Sequence, residues 1–234
     1  MKTLRVSEHF YSIQGEGPSV GVPAIFVRLQ GCNLNCGENG GEWVCDTLDV
    51  WKKGTSYLIS DWHQFFLDTY GQYLSLGAHL IITGGEPLLQ QEGLIEWLSA
   101  FEKKPFIEVE TNGTILPKTK LSTFIGQWNV SPKLSNSGER ITKRLKQDAM
   151  DWFLNQERAI FKFVVSDQRD VEEISNSFSK LKTLPIRRKY LMPAADTKNT
   201  LESKYKEIIQ LAKKEGFSLS QRFHLSVWDQ TTGV

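Results

Sequence analysis

The chain has 234 residues, 40% hydrophobic and 24% charged, enough to bury one substantial core and too apolar for intrinsic disorder. Its 28 Lys and Arg against 27 Asp and Glu leave a formal net charge of +1, which excludes a broad attraction to nucleic acid or to an anionic membrane; an anionic ligand must be met locally. No apolar run reaches the roughly 18 to 20 residues of a membrane span, and the start MKTLRVSEHF lacks an apolar signal stretch, so a cytoplasmic location is expected.

In chain order, strands are predicted at residues 23–30, 78–83, 106–111, 128–131, 160–165 and 190–192, and helices at 61–76, 88–101, 143–154, 171–181 and 200–214, from period-two and period-3.6 patterning. Strand and helix take turns, which implies parallel strands joined by right-handed crossovers, in an open doubly wound sheet or an incomplete barrel. No repeat or linker divides the chain, so one domain over residues 1–234 is expected. Ligands in such folds gather at the carboxyl ends of strands. The informative residues fall there: 31–47 after the first predicted strand, Gly84-Gly85-Glu86-Pro87 after the next, then Asn112-Gly113 and Pro132-Lys133. The polar stretch LSNSGER at 134–140 reads as a mobile loop without chemistry of its own.

Cys32, Cys36 and Cys45 are the only cysteines and share one Gly- and Asn-rich loop. An odd number at close spacing argues against a disulfide framework and for a thiol cluster. Three thiolates can hold a 4Fe-4S cubane while leaving one iron open to a small molecule. Two other readings stand beside it: three unrelated reduced thiols, or a Cys3His zinc site completed by His9 or His63. In Gly84-Gly85-Glu86-Pro87 the glycines permit close backbone approach and the carboxylate suits an ammonium group, although the same tetrapeptide alone would make an ordinary strand-to-helix turn. Arg28 interrupts the apolar run FVRLQ and needs an anionic partner, either a ligand carboxylate or an internal salt bridge.

A three-cysteine loop after the first barrel strand, followed by Thr83-Gly84-Gly85-Glu86-Pro87 after the second, resembles the radical S-adenosylmethionine superfamily. The segments FYSIQGEG (10–17), GVPAIFVRLQGC (21–32), Cys45-Asp46-Thr47, IITGGEP (81–87), EVETNG (108–113), VSPK (130–133) and QRFHLSVW (221–228) together resemble the 7-carboxy-7-deazaguanine synthases from end to end. The resemblance implies an α/β fold, a partial (β/α) barrel of radical S-adenosylmethionine type with the cluster loop after its first barrel strand. It implies a carbon-nitrogen lyase that converts 6-carboxy-5,6,7,8-tetrahydropterin to 7-carboxy-7-deazaguanine with release of ammonia, in queuosine-type deazaguanine biosynthesis, using a 4Fe-4S cluster, S-adenosyl-L-methionine and Mg2+.

Carried onto this chain, the resemblance makes Cys32, Cys36 and Cys45 the cluster ligands. Val44, Asp46, Gly85, Glu86, Ser131, Pro132 and Lys133 become the cofactor contacts. Ile13, Gln14, Gly15, Glu16, Arg28, Thr83, His224 and Val234 face the pterin, Arg28 meets its carboxylate, and Thr47 is the magnesium ligand. A homodimer and an electron donor such as flavodoxin are implied as partners, with no direct nucleic-acid or membrane contact. Two departures stand out: eight residues, GENGGEWV, separate Cys36 from Cys45, and Met192-Pro193-Ala194-Ala195 offers apolar groups where relatives are polar. The rival readings are an activase that generates a radical on a partner protein, and a noncatalytic zinc module.

Overall fold

The computed structural model describes residues 2–231 and Gly233. In chain order the strands are β1 (Thr3–Ile13), β2 (Pro23–Leu29), β3 (Thr55–Leu58), β4 (His79–Gly84), β5 (Ile107–Thr111), β6 (Gln127–Val130), β7 (Ala159–Val165), β8 (Lys189–Pro193) and β9 (Ser218–Leu219). The helices are α1 (Leu48–Trp51), α2 (Ile59–Ser75), α3 (Gln91–Ser99), α4 (Thr119–Ser122), α5 (Ile141–Arg144), α6 (Gln147–Leu154), α7 (Gln168–Ser177), α8 (Lys198–Glu215) and α9 (Phe223–Trp228). The strands form one sheet in the order β3-β1-β2-β4-β5-β6-β7-β8-β9. From β2 to β9 every neighbouring pair is parallel, whereas β1 runs antiparallel to both β2 and β3. Among the described residues, no helix is long and apolar enough to cross a membrane.

The alternation of side chains along each strand separates two environments. One face carries Ile25, Val27, Leu29, Leu80, Ile82, Ile107, Val109, Trp128, Val130, Phe161, Phe163 and Leu191, which form a continuous core with Trp62 and Phe66 of α2, Trp97 of α3, Phe153 of α6 and Ile208 of α8. That burial is the main stabilisation of the fold. The opposite face carries Glu8, Arg28, Thr83, Glu108, Glu110, Asn129 and Lys162. The sheet curls around this polar face. Lys162 on β7 lies 2.5 Å from Glu16, just beyond β1, although five strand spacings would separate those positions by about 24 Å in a flat sheet. The architecture is therefore a partial barrel with its apolar core outside, under the helices, and a polar interior.

The predicted strands and most helices are present within a few residues. The structure adds β1, β3 and β9. The eleven residues of β1 escaped a period-two reading because its register shifts between Val6 and Glu8. Leu4 and Val6 face the core before the shift, and His9 and Tyr11 share that side after it, so neither phase persists along the segment. The helix predicted at 143–154 divides into α5 and α6, because Leu145 is extended at φ −122° and ψ 115°. Its partner in the break is Arg144, which turns inward to donate to the carbonyls of Glu139 and Lys133 and to pair with Glu173.

The expectation of a mobile loop at 134–140 is corrected by burial. Leu134, Asn136, Ser137 and Glu139 are all buried, and the segment braces the cysteine loop. Asn136, Ser137 and Glu139 meet the cysteine loop, while Ser135 and Arg140 remain exposed.

Candidate active site

The cysteine loop leaves the carboxyl end of β2 and returns through Thr47 to α1. Cys36 is buried, Cys32 and Cys45 are partly so, and all three are free. The Cys45 amide donates to the Cys36 carbonyl at 3.3 Å, the Leu34 amide approaches Cys32 Sγ at 3.4 Å, and Cys45 Sγ lies 3.6 Å from Thr47 Oγ1. Burial pushes the Cys32 thiol up to about 11, helped by the negative charges of Glu86, Cys36 and Cys45 and opposed by the Leu34 amide. Burial likewise raises Cys36, against the pull of Lys133. Cys32 and Cys36, both raised by burial, ionise readily only beside a strong positive charge.

The donor set fits a polynuclear cluster, in which each thiolate takes its own iron. Among the described residues no group of three or more His, Cys, Asp or Glu is arranged around a single metal position. The two histidines considered as a fourth zinc ligand lie elsewhere. His9 Nδ1 bonds the Tyr70 hydroxyl at 2.8 Å, and His63 stands edge-on to Phe101.

The eight-residue excursion between Cys36 and Cys45 is anchored from below. Gly37 donates to the Ser137 carbonyl at 2.9 Å and Glu42 to the Asn136 carbonyl at 2.7 Å. Trp43 Nε1 donates to Asn136 Oδ1 at 2.9 Å, and Asn136 Nδ2 donates onward to the Val164 carbonyl at 3.0 Å. The Asn35 amide donates to Glu139. The longer loop is thus a docked structure. Val44, at its end, remains 62% exposed, free to line a ligand.

After β4, Gly84 and Gly85 let two strand ends press together. A Cβ on Gly84, at φ +154°, would meet the Leu29 carbonyl oxygen at 2.4 Å; one on Gly85 would meet the Gly31 oxygen at 2.4 Å and Cys32 Cβ at 2.6 Å. Glu86 is fully buried. Its carboxylate accepts from the Leu88 amide at 3.0 Å, the Asn112 amide at 2.7 Å and the Thr111 hydroxyl at 2.8 Å. Burial outweighs those bonds and Lys133 and pushes it up to about 7. These contacts turn the carboxylate toward the loop after β5, where Asn112 Nδ2 donates to Asn33 Oδ1 at 2.9 Å and Asn33 Nδ2 to Thr114 Oγ1 at 2.8 Å. The loops after β2, β4 and β5 are therefore cross-tied. After β6, Lys133 donates to Ser131 Oγ at 3.0 Å and lies 5.7 Å from the Trp43 ring centroid, with Pro132 buried between them. Its positive charge draws down both Cys36 and Glu86.

On the polar interior, Gln14 donates to Glu110 Oε1 at 3.2 Å and accepts from the Glu16 amide at 3.2 Å. Lys162 bridges Glu16 at 2.5 Å and Glu110 at 3.1 Å. Burial alone would raise Glu16, but Lys162, Arg222 and His224 overcome it and hold the carboxyl at about 2. Burial raises Glu110, with Glu16 and Glu108 adding to the effect against Lys162. One ammonium thus sits between two acids, holding Glu16 low while burial keeps Glu110 above its ordinary value. Deeper in the barrel, Glu108 accepts from His79, Gln127 and Asn129 at 2.7, 2.9 and 2.7 Å.

Arg28 and Thr83 sit opposite each other on β2 and β4. The anionic partner in place beside Arg28 is Glu8: Nε donates to Glu8 Oε1 at 2.7 Å, the internal salt bridge weighed from sequence. Ile13 ends β1 beside Pro23, and the tight seat of Gly15 brings His224 into the site, since a Cβ there would lie 2.5 Å from His224 Nδ1. His224 Nε2 is 3.9 Å from Glu16 Oε1, and burial lowers its pKa. Asp46, adjoining Cys45, pairs with Arg222 at 2.7 Å. Val234 lies outside the described residues. Met192 is buried on β8 and offers no polar group, while the neighbouring Ala195 carbonyl accepts from Arg222.

Sequence reading passed over Glu8, Glu108, Glu110, Asn129, Lys162 and Arg222. Glu108, Glu110, Asn129 and Lys162 share one signal, a polar residue set among apolar ones within a strand, as in IEVET and AIFKFVV; Glu8, in the irregular β1, carries no such signal. The shared signal is the same one that singled out Arg28.

No family model matches the chain. It is 34% identical to the 7-carboxy-7-deazaguanine synthase of Pyrobaculum aerophilum over 98% of its own length and 97% of that protein. It is also 34% identical to the synthase of Hyperthermus butylicus, over 96% and 92% of the two chains. Among solved structures, the crystal structure of QueE from Escherichia coli superposes with a TM-score of 0.68 at 26% identity, covering 95% of both chains. The thiol loop, the glycine motif and the polar half-barrel thus coincide with near full-length similarity, and the chain belongs to the 7-carboxy-7-deazaguanine synthase family.

Proposed function

We propose that this chain, as a radical S-adenosylmethionine enzyme of deazaguanine biosynthesis, converts 6-carboxy-5,6,7,8-tetrahydropterin to 7-carboxy-7-deazaguanine and ammonia inside the half-barrel. The observation that carries the reading is the meeting of two features at one barrel mouth: three free thiols on the loop after β2, and a charged interior just below. Cys32, Cys36 and Cys45 would hold the 4Fe-4S cluster. Gly85, Val44, Asp46, Ser131, Pro132 and Lys133 would receive S-adenosylmethionine, with Glu86 fixing the loop that forms its floor. When bound, the cluster and S-adenosylmethionine supply reductive sulfonium cleavage and hydrogen-atom abstraction from the substrate.

The chain's own residues orient the substrate and exclude water. The amide of Gln14 and the carboxylate of Glu16, with Ile13 and Gly15 beside them, suit the donor and acceptor edge of an aminopyrimidinone. Lys162 and Arg222 keep Glu16 ionised, so it accepts hydrogen bonds from ring N–H groups. Arg28 shows Glu8 only its Nε, so its outer guanidinium edge suits the substrate carboxylate, beside Thr83. His224 closes the wall next to Glu16, and Val234 belongs to the same terminal segment. Thr47 offers a neutral oxygen for Mg2+, which keeps several waters and needs few protein ligands.

A homodimer, a flavodoxin-type electron donor, a cytoplasmic setting and a single catalytic domain over residues 1–234 complete the reading, supported by the family resemblance. The test is anaerobic turnover with the carboxytetrahydropterin, S-adenosylmethionine, reductant and Mg2+, read by mass analysis for the deazaguanine acid; reconstituted protein that leaves the pterin unchanged defeats the reading.

A further inference from the structure

We infer that Arg222 is a positioning residue that couples the cysteine loop to the pterin segment, so that pterin and S-adenosylmethionine tighten each other's binding; this rests on the function proposed above. Arg222 is buried and touches three separate segments. Its Nη2 donates to Asp46 Oδ2 at 2.7 Å, its Nη1 donates to the Ala195 carbonyl, and its Nε lies 3.4 Å from Glu16 Oε1 without a hydrogen bond. Asp46 adjoins a cluster cysteine, and Glu16 belongs to the segment that faces the pterin.

The backbone around Arg222 is docked on the same segment. Phe223 donates to the Gly15 carbonyl at 2.9 Å, and the Gly17 amide donates to Ser220 Oγ at 3.1 Å. A guanidinium is a rigid planar fork, so its two edges cannot be re-aimed independently. Fixing Glu16 against a ligand fixes Asp46, and the reverse holds by linkage. Stability is a poor explanation for the pair, because the Asp46 side chain is 60% exposed and such exposed partners contribute little. The contact sets relative position.

The test uses cluster-loaded protein without reductant, under anaerobic conditions, and measures the Kd of S-adenosylmethionine by equilibrium dialysis with and without saturating 6-carboxytetrahydropterin. In wild type the pterin tightens the cofactor by about fivefold or more. In Arg222→Gln and in Asp46→Asn that factor falls to near one, while iron content is unchanged. Asp46→Asn guards against a folding defect, since it alters an exposed side chain and its thermal midpoint stays at the wild-type value. A wild-type coupling factor retained in both variants overturns the inference, as does a factor of one in wild type that binds both ligands. Wild type that binds no pterin and forms no deazaguanine acid overturns the functional reading itself, and this inference with it.

Discussion

The Lys162 ammonium lies 2.5 Å from Glu16, joining the middle of β7 to the segment that follows β1 and closing the curl of the sheet. It is nearly inaccessible to water, at 3% exposure, and also faces Glu110. Removing it leaves two carboxylates beside a dry wall. Lys162→Met is expected to lower stability by about 3 kcal/mol, as for other buried pairs broken on one side. Denaturant titration checks the value, and Glu16→Gln in the same chain should recover part of the loss.

Acid stability reports the same charge. The Glu16 carboxyl is held at about 2 in the folded protein against an ordinary 4.5, so its contribution is complete above pH 4.5 and is lost as pH falls toward 2. The unfolding free energy should drop across that window. In Glu16→Gln the drop should be shallower, and equal slopes in the two proteins would assign the acid sensitivity to other groups.

Cys45→Ala should lose the cluster. Wild type reconstituted anaerobically with iron and sulfide should be brown, with about four irons per chain. The variant should bind far less iron and show no turnover, and retention of full iron would remove Cys45 from the ligand set. Iron and labile-sulfide determination, with the visible spectrum, decides it.

Gly85→Ala introduces a methyl that meets the Gly31 oxygen at 2.4 Å and Cys32 Cβ at 2.6 Å. Backbone must shift to admit it, at a cost of about 1–3 kcal/mol. The displaced atoms belong to the cysteine loop, so both the melting temperature and the reconstituted iron content should fall.

Asn136→Ala removes the bonds to Trp43 Nε1 and to the Val164 carbonyl. The expected loss is about 1–3 kcal/mol, set by the partners left unsatisfied. Hydrogen exchange should accelerate over residues 37–44 and stay unchanged in α2 and α8.

The residues that could be read in the sequence are those whose meaning is local. The thiol spacing, the paired glycines before Glu86 and the period of the parallel strands all act within a few positions. Even Arg28 announced itself as a charge inside an apolar strand. The same pattern in Glu110 and Lys162 was legible in principle, yet each alone has two readings, outward to solvent or inward to a barrel, and the choice between them depends on curvature. The β1 strand was hidden for a local reason: its bulge moves the apolar side from even to odd positions.

By itself the sequence determined the alternation of strands and helices, the three-thiol loop and its place after the first barrel strand, because backbone propensity and side-chain period are properties of short segments. Only the tertiary structure decided that Arg28 pairs with Glu8, that residues 134–140 are a buried brace, and that Arg222 joins Asp46 to Glu16. Those facts depend on how far the sheet curls and which loops it brings together, and long-range closure of that kind leaves no periodic trace in the chain.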